Sequence, residues 1–130
     1  MNMNNDKLEL LFAGAWNDKL FYHGTAKMYH DTQVERFGIY RPDEGFIWLT
    51  RTLGFAHTYA RNRAREYKSS PLVLVIPITP SLDKRIKADP SDRSREPTID
   101  YLLPDEYTSF EQEAYGSLKR EIKEWMMNAR

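Results

Sequence analysis

The sequence predicts an α+β fold in a single domain over residues 1–130. Three observations carry that expectation. Leu72-Val73-Leu74-Val75-Ile76-Pro77-Ile78 is a continuous, largely β-branched run, the pattern of a strand buried on both faces. Two stretches, at 52–68 and near the C-terminus, repeat apolar residues at helical spacing. Leu20-Phe21-Tyr22 and Phe46-Ile47-Trp48-Leu49-Thr50 are short, aromatic-rich runs with strand composition.

In chain order, residues 1–5 predict a disordered start. Residues 6–16 place Leu8, Leu11, Phe12, Ala15 and Trp16 on one face of a helix, which Asn17-Asp18 breaks. A strand follows over 19–24. Residues 31–36 predict a short helix with Asp31 or Thr32 as N-cap and Gly38 closing it. Residues 39–45 are turn-rich, and 46–50 form the aromatic strand. Leu53, Ala56, Ala60, Ala64 and Tyr67 share a helical face over 52–68, which Ser69-Ser70-Pro71 ends. Pro77 marks where pairing of the apolar strand stops or shifts. Residues 80–98 are polar and punctuated by prolines, a loop long enough to be functional or mobile. Residues 98–103 predict another strand. A C-terminal helix over 109–128 carries Ala114, Leu118, Ile122, Trp125 and Met126 on one face. That stripe reads as core, with a dimer or partner contact as the lesser reading.

Nineteen basic residues balance nineteen acidic ones, so no global field steers the chain toward nucleic acid or membrane. The absence of cysteine excludes disulfides, thiolate metal sites and cysteine nucleophiles. Three widely spaced histidines argue against a metal centre. No basic leader or long apolar run is present, so the expectation is a cytoplasmic protein without a membrane partner.

Chemistry concentrates in three segments. His23-Gly24-Thr25 places an imidazole at a strand end, beside a residue with no Cβ and then a hydroxyl. Trp48 and Tyr59 are aromatic residues that flank the second strand-to-helix junction. Ile99-Asp100-Tyr101 sets a carboxylate on a late strand. The order and spacing of these segments, over residues 20–107, resemble the ADP-ribosyltransferase superfamily, especially its diphtheria-toxin and poly(ADP-ribose)-polymerase branch. The resemblance implies a split β-sheet with flanking helices and NAD as co-substrate. It implies that His23 holds the adenosine ribose and that the Gly24 backbone grips the nicotinamide carboxamide. Trp48, in place of the family's Tyr, and Tyr59 would sandwich the nicotinamide, with Thr25 and Thr50 beside the donor. Asp100 takes the position of the catalytic Glu, with His23 assisting. Asp is one carbon shorter than Glu, so Glu96 or Glu106 are the alternatives. Thr98, two residues before Asp100, disfavours arginine as the acceptor.

The physics stands beside the resemblance. Oxidised nicotinamide is a flat cation that two rings can sandwich. Breaking its bond to ribose builds positive charge on the sugar, which a carboxylate stabilises. The activity that the resemblance implies is mono-ADP-ribosyl transfer from NAD to a macromolecular acceptor, protein or nucleic acid, and by fold-level analogy a role like that of toxins and defence-related modifiers. Arg93, Arg95 and Lys87 in the long loop suit an anionic acceptor. Two other readings stay open. One is a catalytically silent NAD or ADP-ribose binding module. The other is a nucleic-acid-binding domain using that loop and the Arg61-Asn62-Arg63-Ala64-Arg65 helix face, which is otherwise a solvated surface.

Overall fold

The computed structural model describes residues 20–31, 38–39, 45–91 and 93–128. The disordered start, the helix over 6–16, most of the helix over 31–36 and most of the turn over 39–45 lie outside the described residues. Gly38 itself has a φ of 86°, a conformation suited to a residue without Cβ.

Two antiparallel sheets organise the described chain. In the first, β1 (Leu20–Ala26) and β5 (Thr108–Glu111) flank the central β3 (Pro71–Pro77). In the second, β2 (Ile47–Trp48) pairs with β4 (Thr98–Ile99). Between the strands lie α1 (Lys27–Tyr29), α2 (Leu53–Glu66) and α3 (Pro80–Asp83), and α4 (Tyr115–Asn128) follows β5. This is α+β at the coarse level that the sequence predicts.

The apolar run at 71–77 is central because its side chains are needed on both sides. Leu72, Leu74 and Ile76 pack with Phe21, Ile47, Leu49, Ile99 and Leu102 on one face. Val73 and Val75 pack with Leu20, Tyr22, Leu53, Ala56, Ala60, Leu118, Ile122 and Met126 on the other. Alternation along a strand produces this division directly.

Three expected elements change. The C-terminal helix begins at Tyr115 rather than 109, because Thr108–Glu111 pairs with Leu72–Val75 as β5. Phe110 still meets Trp125, but across the strand–helix interface, with ring centroids 5.9 Å apart. The strand over 98–103 is interrupted. Thr98 and Ile99 pair with β2, and Leu102 makes a separate bridge to Ile39. Leu118, Ile122 and Met126 are buried inside the chain's own core, so that face of α4 is not a free surface for a dimer. The long loop also contains structure. Thr79 caps α3 by accepting from the Leu82 amide, and Lys87 bridges to Thr98.

Candidate functional site

The site lies where the two sheets part. The Tyr22 N–H donates to Thr50 O at 2.7 Å, and the Thr50 N–H donates to Tyr22 O at 3.0 Å. This bridge joins the edge of β1 to the chain just after β2. Strand alternation turns the Gly24 amide and carbonyl to the same edge as those of Tyr22. There β2 is replaced as a neighbour by a side chain: the His23 Nδ1–H donates to Trp48 O at 2.8 Å. A carbonyl can only accept, so Nδ1 carries the proton, and in the neutral ring Nε2 is the acceptor nitrogen.

A cleft of about 270 Å³ opens at this divergence. Its volume falls just below the usual range for small-molecule sites, roughly 300–1,000 Å³, and suits one end of a larger ligand. His23, Gly24, Trp48, Thr50 and Tyr59 all line it, which brings together five of the residues singled out from sequence. Leu49, Phe55 and Ala56 complete its apolar wall, and Phe55 is 56% exposed at the rim. Arg93, Ser94 and Glu96 reach it from the long loop.

Gly24 has a second reason to be glycine. An added Cβ would stand 2.1 Å from Ala56 O and 2.9 Å from the Ala60 nitrogen. The backbone of α2 therefore occupies the space that the sequence assigned to a ligand, while the Gly24 peptide groups still face the cleft edge. Ala56 and Ala60 are small for the same reason, and their helix carries Tyr59 to the cleft.

Trp48 is held from several directions. Its indole Nε1–H donates to Asp89 Oδ2 at 3.0 Å. Phe46 meets it edge-on at 5.3 Å, and the Arg93 guanidinium lies over the ring at 4.9 Å. Asp89, 5% exposed, also accepts from the Ser91 amide and hydroxyl at 2.8 and 2.6 Å. The Ser94 amide and hydroxyl donate to it at 2.9 and 3.0 Å. Burial pushes this carboxyl up. The bonds from Ser91, Trp48 and Ser94 outweigh that and hold it well below the usual carboxylate range. Asp89 is the residue that sequence reasoning missed. Its signal was an Asp with serines two and five residues later, the pattern of a side chain that folds its own loop.

Two expected site residues are not brought to the cleft. Thr25 is buried, 4% exposed, and does not line it. Asp100 does not line it either. Its side chain is 54% exposed and accepts from Arg85 Nε at 3.0 Å and from the Tyr101 amide at 2.9 Å. The same Arg85 pairs with Glu106 at 3.2 Å, donates to Tyr101 O, and lies over the Tyr101 ring at 3.9 Å. Glu106 further accepts from the Leu103 amide at 2.8 Å. Asp100 and Glu106 thus form a structural clasp around one guanidinium. Of the three acids considered from sequence, Glu96 is the one that lines the cleft.

No family model matches the chain, and no curated protein is similar to it. Among the described residues, no three His, Asp or Glu side chains converge to hold a metal ion. Nor is any described helix long and apolar enough to cross a membrane. The site's chemistry must therefore be read from its own parts. These are three aromatic side chains (Trp48, Phe55 and Tyr59), outward-facing peptide groups, an imidazole, a guanidinium and a carboxylate around a mostly apolar hollow.

Proposed function

We propose that this cleft binds the nicotinamide end of NAD and that the protein is a mono-ADP-ribosyltransferase acting on a macromolecular acceptor. The observation that carries the reading is the convergence of His23, Gly24, Trp48, Thr50 and Tyr59, distant in sequence, on one hollow. The ADP-ribosyltransferase fold is the matching finer reading of the two small sheets.

The Gly24 amide and carbonyl are complementary to the acceptor and donors of a carboxamide. Trp48 and Tyr59 supply ring faces for a flat cation, each contact contributing roughly 0.5–2 kcal/mol. Heterolysis of the nicotinamide–ribose bond returns the bonding pair to the pyridine nitrogen and leaves positive charge on the sugar. Glu96 takes over the role expected of Asp100, as the anion that stabilises this charge. The acceptor then attacks the anomeric carbon and releases its proton. Arg93 is complementary to an anionic diphosphate or an anionic acceptor.

The test is nicotinamide release from NAD by the parent, Glu96→Gln, Asp100→Asn and Glu106→Gln proteins. The expected result is a fall of roughly 100-fold or more for Glu96→Gln, the scale of removing one electrostatic stabiliser. The other two variants should stay within a few-fold of the parent. Release unaffected by Glu96→Gln would overturn the assignment. The pairing of Asp100 with Arg85 favours one second reading, a binding module without turnover. Its signature is NAD binding with no nicotinamide release by the parent.

A further inference from the structure

Residues 93–96 form a cleft wall with little regular structure of its own. Within them, the Glu96 amide donates to Ser94 Oγ at 3.2 Å, and the Arg93 side chain reaches Ser91 Oγ at 3.0 Å. These are local bonds between exposed groups. The attachment to the fold runs through Asp89. One oxygen of this buried carboxylate binds Ser91, and the other binds both Ser94 and the Trp48 indole. The same atom, Oδ2, therefore ties the loop side of the cleft to the Trp48 ring of β2. A buried anion with five donors resists displacement, because any released donor or oxygen would lose its partner.

We propose that Asp89 is the positioning residue of the cleft: it locks the plane of Trp48 and pins Arg93, Ser94 and Glu96 against it, so that ligand binding depends on the clasp. Asp89 does not line the cleft and acts through the residues it holds. Without it, the Trp48 ring loses its fixed orientation, and Arg93 and Glu96 lose their common frame. The clasp itself is independent of which ligand binds. Only the affinity arm below rests on the NAD reading.

The experiment compares the parent with Asp89→Ala, and with Ser94→Ala as the milder change that keeps the carboxylate and the amide bonds. Three measurements are made on each folded protein. Trypsin cleavage after Arg93 and Arg95 is followed by mass spectrometry. The Trp48 indole N–H resonance, assigned by its loss in Trp48→Phe, is recorded by NMR. NAD affinity is measured by titration. Asp89→Ala should speed cleavage at Arg93 and Arg95 at least tenfold, move the indole resonance toward that of a free indole, and weaken NAD at least tenfold. Ser94→Ala should shift all three in the same direction by a smaller factor. Should Asp89→Ala fail to fold, Ser94→Ala alone decides. Unchanged cleavage and an unmoved indole resonance would overturn the proposal, as would NAD affinity equal to the parent's. A parent that binds no NAD would sink the functional reading, and the cleavage and resonance arms would then decide the clasp.

Discussion

A carboxylate already bound to a guanidinium is poorly placed to hold a sugar cation, and this separates the three acids near the site. Asp100 and Glu106 share Arg85, whereas Glu96 faces the cleft. Removing Asp100 should therefore act on structure. Asp100→Ala leaves Arg85 with Glu106 and the Tyr101 carbonyl. Because the lost pair is largely solvated, the expected loss is about 0–1 kcal/mol, measurable by denaturant titration, with nicotinamide release unaffected. Asp89 differs from all three, being consumed by its five donors. Its folded-state pKa is depressed, so the clasp contributes stability above the unfolded value, about 3.9, and loses it only as pH falls through the lower folded value. From pH 7 down to about 4, where ordinary carboxylates begin to protonate, the Trp48 indole resonance should show no carboxylate titration. A midpoint near 4 to 5 in that resonance would contradict the clasp.

At the scale of elements, the strand–helix packing at Gly24 is the joint that sets the width of the cleft. A methyl group there meets backbone rather than a side-chain tip, so α2 must move as a unit. Gly24→Ala should cost about 1–3 kcal/mol or more as overpacking, lower the melting temperature, and displace Tyr59 with the helix. Thermal melts of Gly24→Ala check the first effect. The elements most legible in sequence were those whose burial pattern is internal to one segment. The run at 71–77 and the Leu53, Ala56, Ala60, Ala64 face needed no partner to be recognised. β5 was not legible, because four residues with two half-buried side chains carry little period, and Phe110 fits a helical stripe with Leu118 and Ile122 equally well. What makes β5 a strand is the open edge of β3, a tertiary fact. The ends of the strand at 98–103 were obscured similarly, by two different partners at Ile99 and Leu102. Within the site, His23, Gly24, Trp48 and Tyr59 were legible from their order. Glu96 was visible only as an alternative, since a loop residue's direction depends on the Asp89 clasp.

At the scale of the molecule, the cleft draws its walls from both sheets, from α2 and from the long loop, so a ligand seated there links parts that are joined by the Tyr22–Thr50 bridge, the His23–Trp48 hydrogen bond and side-chain packing. Such a ligand stabilises the fold by mass action. At a concentration 100-fold above Kd, NAD should add about 2.7 kcal/mol, which for a chain of this size raises the melting temperature by on the order of 10 °C. Trp48→Ala should abolish that shift, because it removes both a ring face and the group that Asp89 holds. Salt dependence separates this outcome from nucleic-acid binding. An extended basic surface neutralising several phosphates would lose affinity steeply with added salt, with a logarithmic slope of about −0.7 per contact on single strands. On the proposed reading NAD would meet a largely apolar hollow with Arg93 in its lining, so its thermal shift should change little between 50 and 200 mM salt. A shift that collapses over that range would place the binding energy on the Arg-rich face of α2 rather than between Trp48 and Tyr59. Arg61→Ala and Arg65→Ala would then remove it, where Tyr59→Ala would not.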